Sequence, residues 1–255
     1  MKKNKTIVGI IPARFASVRF PGKPLAQIMN KPMVQWVYEA LASTMDYLCV
    51  ATDDERIFQA VRNFGGKVVL TSPDHPSGTD RCREAIGILE KKGLRADIAI
   101  NIQGDEPLIR PEQITELIHC LDEDEAQIAT LYTLFRAYED PGDPNLVKVV
   151  VDKNGRALYF SRALIPFPAK TGSDSAIGYY KHVGLYGYKI KALKEICTLA
   201  PSPLERAESL EQLRWLENGY LIKAAKTDYV NIGIDTPGDI EKVIGLLKER
   251  KFPYS

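Results

Sequence analysis

Residues 7–24 read IVGIIPARFASVRFPGKP, an apolar run that leads directly into a loop without acidic residues. The run Ile7–Ile11 is continuous rather than alternating, which indicates a strand buried on both faces, and Pro12 ends it. Three similar runs follow, separated by segments with apolar residues at helical spacing; the runs lie at 47–52, 68–70 and 98–102, and the helical segments near 33–41, 57–64, 82–89 and 111–121. This alternation predicts an α/β fold with a mostly parallel central sheet and helices on both faces.

The second half of the chain shows strand-like runs in direct succession, joined by turns such as Lys153-Asn154-Gly155; these runs lie at 128–135, 147–151, 157–160 and 183–188. Successive strands joined by turns predict a small antiparallel lobe, near residues 130–190, within a single domain of residues 1–255. The segment 165–180 contains Pro, Gly and Ser and is predicted to be a loop.

Two later segments have strong helix start patterns. Ser202-Pro203-Leu204-Glu205 combines an N-cap, a proline in the first turn and a capping-box acid, and we expect a single helix that carries Glu205, Glu208, Glu211 and Gln212. Thr236-Pro237-Gly238-Asp239 repeats the pattern after the apolar run Val230–Ile234, which we interpret as a strand.

Composition and charge exclude several classes of protein. Hydrophobic residues make up 45% and charged residues 26% of the chain, which excludes disorder as its main state. Lys and Arg number 34 against 33 Asp and Glu, so no global field attracts nucleic acid or an anionic membrane. No apolar stretch is long enough for a membrane span or secretion signal, and the four cysteines lack the spacing of zinc or redox sites. We therefore expect a cytoplasmic protein with reduced, buried thiols and no nucleic-acid or membrane partner.

The loop after the first strand carries three cations, Arg14, Arg19 and Lys23. Ligands of parallel sheets bind at the carboxyl ends of the strands, and a triphosphate needs several convergent positive charges together with backbone N–H groups. The segment has neither the Walker A pattern nor the dinucleotide-binding glycine pattern. A phosphate-binding loop and a basic surface loop are both compatible with these residues.

Two aspartates follow other predicted strands. Asp105 lies in Gln103-Gly104-Asp105-Glu106-Pro107, and Asp235 lies in Ile234-Asp235-Thr236-Pro237. Each could alone belong to a turn or favour a helix dipole. Together they suit Mg²⁺, which takes one or two carboxylates, several waters and the oxygens of a substrate phosphate. The pair therefore predicts magnesium-dependent chemistry on a nucleoside triphosphate.

These segments together resemble the 3-deoxy-manno-octulosonate (Kdo) cytidylyltransferases, which make the activated sugar CMP-Kdo. The sialic-acid cytidylyltransferases share the fold and the early basic loop, but they resemble the later segments less. The matching segments run in order over nearly the whole chain; they are Ile11–Arg14, Arg19–Leu25, Val50–Asp53, Ser77–Arg81, Gln103–Pro107, Tyr159–Arg162, His182–Tyr188, Ser202–Glu205 and Asp235–Pro237.

The resemblance implies a Rossmann-like nucleotidyltransferase fold with an antiparallel dimerisation lobe, and hence a homodimer. It implies an enzyme that joins CTP and Kdo into CMP-Kdo and pyrophosphate for lipopolysaccharide biosynthesis. The implied nucleotide and metal roles are phosphate binding by Arg14 and Lys23, base and ribose contacts by Ala13, Ser77 and Gly78, and Mg²⁺ binding by Asp105 and Asp235; Lys23, Arg14 and the two aspartates form the catalytic group. The residues implied to contact Kdo are Arg19, Gln103, Arg162, His182, Tyr186, Glu211 and Gln212, with Arg162 facing the sugar carboxylate.

Two alternatives stay open. The nearer alternative is a cytidylyltransferase for another acid sugar, either a sialic acid or an amino-substituted Kdo. The choice among these sugars depends on contacts around Arg162 to Tyr186. The other is a non-catalytic nucleotide-binding module, against which the paired aspartates argue because a sensor does not need two metal carboxylates.

Overall fold

The computed structural model describes residues 5–16, 20–123, 125–169, 178–229 and 232–248. The chain divides into two units, the first formed by residues 1–114 with 230–255 and the second by residues 115–229. The boundary near residue 114 falls inside the helix Pro111–Leu121.

Strands and helices alternate along the first part of the chain, as the apolar pattern predicts. The elements are β1 (Ile7–Ala13), a 3-10 turn (Lys23–Leu25), β2 (Gln27–Ile28), β3 (Lys31–Pro32), α1 (Met33–Leu41), β4 (Tyr47–Thr52), α2 (Glu55–Asn63), β5 (Val68–Leu70), α3 (Gly78–Lys91), β6 (Ile98–Asn101) and α4 (Pro111–Leu121). In the described part of the first unit, four strands pair in parallel in the order β6, β1, β4, β5. The predicted parallel sheet is therefore confirmed.

Burial and capping explain why these residues form these elements. Val8, Ile10 and Ile11 of β1 are fully buried, in agreement with a strand that is covered on both faces. The Asp54 carboxylate accepts a hydrogen bond from the Arg56 backbone N–H at 2.9 Å and caps α2. Ser77 caps α3 in the same way, so this helix begins at Gly78, four residues before the first residue of the predicted apolar face.

The second unit contains the antiparallel strands that the sequence predicts. Its elements are β7 (Ile128–Leu134), β8 (Lys148–Val151), β9 (Ala157–Ser161), β10 (Tyr180–Lys189), α5 (Ile190–Ile196), α6 (Pro203–Glu208), α7 (Glu211–Glu217) and β11 (Ile222–Lys226), and α8 (Pro237–Lys248) follows in the first unit. β10 pairs antiparallel with β7 and β8, and β8 pairs antiparallel with β9. β11 lies parallel to β7 and was not predicted.

Two predictions for the later part of the chain are wrong. The single helix after Ser202 is two helices, because Ser209 adopts a left-handed conformation with φ 53° and separates α6 from α7. Residues 232–234 of the predicted strand Val230–Ile234 belong to no strand, and residues 230 and 231 lie outside the described ranges. Ile234 is nevertheless fully buried, which accounts for the apolar pattern.

The predicted loop at 165–180 is only partly described. Residues 165–169 and 178–179 belong to neither a helix nor a strand, β10 begins at Tyr180, and residues 170–177 lie outside the described ranges. The Ser202 capping box is present as predicted, with both the Ser202 side chain and the Glu205 side chain engaged.

The cysteines behave as small core residues. All four lie in the described ranges without a disulfide; Cys49, Cys82 and Cys120 are buried and Cys197 is partly buried. Burial raises the pKa of Cys49 to about 12 and the pKa of Cys120 to about 11. None of the helices in the described ranges has the length and apolarity needed to cross a bilayer.

The centre of β1 predicts how sensitive the core is to added volume. A Cβ atom at Gly9 would meet Met45 Sδ and would lie 2.8 Å from Leu48 Cδ1. We expect Gly9→Ala to lower the free energy of unfolding by about 1–3 kcal/mol, the usual cost of overpacking. The matched control is Gly87→Ala in α3, where a Cβ atom meets nothing within 4 Å and should stabilise by about 0.5–1 kcal/mol. Urea denaturation measures both, and equal effects of the two substitutions would contradict the packing argument.

Candidate active site

A cavity of about 430 Å³ lies in the first unit, at the carboxyl ends of β1 and β6. It contains all five residues that the resemblance assigns to CTP, together with Gln103 and Asp105. The lining residues are Pro12, Ala13, Arg14, Ala16, Lys23, Pro24, Ser77, Gly78, Arg81, Asn101, Gln103, Gly104 and Asp105. The parallel pairing of the two strands explains the location, since it brings their carboxyl ends to one edge of the sheet.

Small residues let the backbone segments around the cavity approach each other closely. A Cβ atom at Gly104 would lie 3.1 Å from the Pro12 carbonyl oxygen, so a side chain there would press on the end of β1. Gly78 is the first residue of α3, where the backbone N–H groups of a first helical turn suit an anionic ligand. The cavity therefore combines tight backbone packing with the first turn of a helix.

Lys23, Asp105 and Asp235 form a compact cluster of charges in the first unit. Lys23 Nζ lies 2.5 Å from Asp105 Oδ2 and 3.5 Å from Asp235 Oδ1. The Ile234 backbone N–H donates to the Asp105 carbonyl oxygen at 2.9 Å, which ties the two aspartate-bearing segments together. Two carboxylates from separate parts of the sequence thus converge on one cation.

The same cluster tests whether these residues suit a magnesium ion. The Lys23 ammonium marks a point at which both carboxylates already stabilise positive charge, and carboxylate oxygen is the ligand that Mg²⁺ takes from proteins. Within the described ranges no group of three or more His, Cys, Asp or Glu side chains is arranged to hold a metal. Two carboxylates are sufficient for Mg²⁺ when waters and substrate phosphates complete its shell, so the pair fits the ion.

A stacking contact braces the base of the basic loop. The Arg56 guanidinium carbon lies 3.3 Å from the centre of the Phe15 ring, and Arg56 also donates to Asp54 at 2.7 Å. The Gly22 backbone N–H donates to the Phe15 carbonyl oxygen at 2.9 Å, and Gly22 has φ 71° with the Phe15 ring close to where a Cβ atom would be. The loop ends that carry Arg14 and Lys23 are therefore joined. Arg19 lies outside the described residues.

Arg81 is a cavity residue whose role the sequence analysis missed. It belongs to the quoted segment Ser77–Arg81, but nothing in the local pattern distinguishes it from a solvent-exposed helix residue. Its Nη1 donates to Thr71 Oγ1 at 2.6 Å and lies 3.3 Å from Asp53 Oδ1. Burial lowers the pKa of Arg81, and the Asp53 carboxylate opposes that effect. Thr71 and Asp53 hold this buried cation beside the cavity.

In the second unit, the structure brings His182 and Tyr186 together on β10. Their ring centres are 5.3 Å apart, and the Phe160 ring meets His182 edge-on at 5.0 Å. Burial, followed by the negative charge of Glu211, raises the pKa of Tyr186, so its phenol stays neutral. That electrostatic effect shows that Glu211, at the start of α7, lies near β10. Three of the residues implied to contact Kdo thus form one cluster.

The hydrogen bonds of His182 indicate which of its ring nitrogens carries a proton. Burial lowers the pKa of His182 to about 3, so the imidazole is neutral. Thr130 Oγ1 lies 2.9 Å from His182 Nε2 and within 3.2 Å of the carbonyl oxygens of Val183 and Leu185. If the threonine hydroxyl donates its one proton to one of these carbonyls, His182 Nε2 is the donor to that hydroxyl. Nδ1 is then left as a hydrogen-bond acceptor.

Arg162 and Gln212 also lie in the second unit. Gln212 is buried in α7, next to Glu211. The Arg162 guanidinium donates to the carbonyl oxygens of Glu208, Pro144 and Ser209, at 2.7, 2.9 and 3.4 Å. An arginine has five N–H groups, so one N–H on each terminal nitrogen is not used by these contacts. Arg162 is held by the backbone and can still face a carboxylate.

Comparison with known proteins gives a consistent result over nearly the whole chain. The family model described as cytidylyltransferase matches residues 8–227. The 3-deoxy-manno-octulosonate cytidylyltransferase of Parabacteroides distasonis is 53% identical over 250 residues, covering 95% of this chain and 98% of that protein. The enzyme of the same name from Bacteroides thetaiotaomicron is 52% identical over 249 residues, with the same coverage.

Solved structures give the same result for the fold. The structure of CMP:2-keto-3-deoxy-manno-octonic acid synthetase in complex with CTP has a TM-score of 0.87 and 43% identity, and the match covers 96% of this chain and 99% of that one. A 4-diphosphocytidyl-2C-methyl-D-erythritol synthase from Anaerococcus prevotii, at 14% identity and a TM-score of 0.59, shares the fold alone. The predicted nucleotidyltransferase fold is confirmed.

The neutral, partly buried His182 predicts a specific loss of stability in acid. An unfolded chain binds a proton at this histidine below about pH 6.5, whereas the folded chain does not until about pH 3, so stability falls as the pH drops through this window. We expect His182→Gln to lose less unfolding free energy than the wild type between pH 6.5 and 5. The difference should be about 1 kcal/mol, half the full linkage value, because the residue is only partly buried.

The control is His119→Gln, on the exposed side of α4, which leaves His182 and its contribution to the pH dependence in place. Urea unfolding at several pH values gives the comparison. Parallel curves for the wild type and His182→Gln would show that His182 binds its proton over the same pH range in the folded and unfolded chain, which would contradict the lowered pKa.

Proposed function

Because this chain belongs to the cytidylyltransferases, and among them to the Kdo cytidylyltransferase family, we propose that it activates Kdo with CTP. The anomeric hydroxyl oxygen of Kdo attacks the α-phosphorus of CTP, the bond from that phosphorus to the bridging oxygen breaks, and pyrophosphate leaves. The hydroxyl proton is lost in the same reaction. The observation that carries the proposal is the cavity lined by Arg14, Lys23 and Asp105, with the Asp235 carboxylate beside the Lys23 ammonium.

The cavity supports nucleotide binding by the residues that the sequence analysis selected. Ala13, Ser77 and Gly78 supply backbone and small side chains for the base and ribose, and Arg14 and Lys23 supply charge for the phosphates. In this structure the Lys23 ammonium lies against two carboxylates. Its four-carbon stem allows the ammonium to turn toward a bound triphosphate, where it would offset charge on the leaving pyrophosphate.

We propose that Asp105 and Asp235 hold Mg²⁺ when nucleotide is bound. The convergence of both carboxylates on Lys23 Nζ supports this assignment. The ion would supply neutralisation of phosphate charge and a lower pKa for the attacking hydroxyl. The protein's own contribution is to position the two carboxylates through the Ile234–Asp105 backbone hydrogen bond at 2.9 Å.

For the acid sugar, we propose contacts from Arg162, His182, Tyr186, Glu211 and Gln212, which all belong to the second unit. Gln103 keeps the role that the resemblance implies. The unused N–H groups of Arg162 suit the sugar carboxylate, and His182 Nδ1 suits a hydroxyl donor. Arg19 keeps the role that the resemblance implies.

We also propose a homodimer in the cytoplasm, as the resemblance implies. Exposed apolar side chains in the second unit support a surface covered by a second copy; Phe167 is 82% exposed and Leu158 is 58% exposed. Cysteines without disulfides agree with a reducing compartment. Light scattering would measure the mass of the assembly.

Pyrophosphate release from CTP and Mg²⁺ tests the activity, with Kdo in one reaction and N-acetylneuraminate in another. We expect release with Kdo alone, because the relatives of that name match nearly the full chain. Release with neuraminate alone would keep the nucleotide site and overturn the sugar assignment. CTP binding in a calorimeter, without release for either sugar or for amino-substituted Kdo, would overturn the enzymatic proposal.

The metal assignment predicts the behaviour of two conservative variants. Asp105→Asn and Asp235→Asn should each lower kcat at least about 100-fold, because each removes one negative charge from the cation site without changing its shape. The half-saturating concentration of Mg²⁺ should rise in parallel. Asp228→Asn, at an exposed position in the second unit, is the matched control and should keep full activity. Circular dichroism checks the fold, and near-normal turnover of either site variant with Mg²⁺ would remove that residue from the metal site.

A further inference from the structure

Glu208 and Arg162 hold each other by reciprocal contacts, which we name the Glu208–Arg162 clasp. The Glu208 carboxylate accepts hydrogen bonds from Ser161 Oγ at 2.6 Å and from the Arg162 backbone N–H at 2.8 Å. In return, Arg162 Nε donates to the Glu208 carbonyl oxygen at 2.7 Å. The side chain of each residue therefore binds the backbone of the other, and the end of β9 is fixed to the end of α6.

A second group of contacts prevents the clasp from rotating. The Lys148 ammonium, on a fully buried residue of β8, donates to the Arg162 carbonyl oxygen at 2.6 Å and to the Asp143 carbonyl oxygen at 3.0 Å. Arg162 Nη1 donates to the Pro144 carbonyl oxygen at 2.9 Å. The backbone N–H, the carbonyl and the guanidinium of Arg162 all have defined partners. This makes the orientation of its remaining N–H groups a fixed property of the fold.

The clasp also determines how the chain passes from α6 to α7. Ser209 has φ 53°, a conformation that costs free energy for a residue with a Cβ atom. The carbonyl groups of Glu208 and Ser209 lie where the end of α6 leaves carbonyls without helical partners, and the guanidinium donates to both. Two residues later α7 begins with Glu211 and the buried Gln212. The turn at Ser209, which we name the Ser209 joint, therefore sets where the side chains of Glu211 and Gln212 lie.

We propose that Glu208 is a positioning residue for the acid sugar, acting through Arg162 and through the Ser209 joint. This inference rests on the proposed function, in which Arg162, Glu211 and Gln212 contact the sugar. A carboxylate at position 208 fixes the Arg162 backbone and the end of α6 at once. Two donors use its two oxygens, so a neutral side chain cannot replace it fully.

The test measures the Michaelis constant for Kdo and the Michaelis constant for CTP separately, in Glu208→Ala and in Glu208→Gln. We expect Glu208→Ala to raise KM for Kdo about 10-fold and to leave KM for CTP within about 2-fold, because the cavity assigned to CTP belongs to the first unit. Glu208→Gln keeps one acceptor oxygen and should raise KM for Kdo about 3-fold. Asp228→Ala, at an exposed position of the second unit, is the control and should match the wild type.

Thermal unfolding is measured on every variant, and the assays are run well below the lowest midpoint. An unchanged KM for Kdo in folded Glu208→Ala, or in Glu208→Gln if the alanine variant does not fold, overturns the inference. Equal increases in both Michaelis constants also overturn it, because they indicate a general structural role. A wild-type protein that releases no pyrophosphate with Kdo overturns the proposed function instead, so the two failures are distinguishable.

Discussion

The parallel pairing of β1 with a strand on each side is the constraint from which the candidate site follows. Parallel neighbours point their carboxyl ends the same way, so loops that are distant in sequence leave the sheet at one edge. This arrangement requires close packing, which glycine allows at two places: against side chains within the strand, at Gly9, and against the Pro12 backbone at the edge, at Gly104. Residues from four separate segments then line one cavity without needing to be near each other in sequence.

The charges at this edge explain how a nearly neutral protein can bind a highly charged nucleotide. The whole chain carries a formal charge of +1, so long-range attraction is weak. Lys23 is paired with Asp105 and Asp235, so its positive charge is compensated before any nucleotide binds. When a nucleotide binds together with its own cation, that cation can pair with the two carboxylates, and Lys23 can pair with the phosphates.

The fold was predictable from sequence wherever local patterns decided it. The buried strand β1, the helices that follow it and the position of Asp105 after β6 all depend on apolar spacing and nearby turn residues. The joint at Ser209 contains neither glycine nor proline, and contacts from Arg162, far away in sequence, hold its left-handed conformation. The stacking of Arg56 on Phe15 and the ion pair of Arg81 with Asp53 also depend on tertiary contacts. The strand predicted at Val230–Ile234 failed for the opposite reason. Its apolar pattern reflects the burial of Ile234, and burial does not require strand pairing.

The burial of the cysteines has a practical consequence for studying this protein in solution. Thiol-specific reagents attack the thiolate, and burial holds the pKa of Cys49 at about 12 and that of Cys120 at about 11. Cys82 is buried as well, whereas Cys197 at the end of α5 is only partly buried. A maleimide dye applied at neutral pH should therefore attach at Cys197, giving the native sequence a single fluorescent label in the second unit.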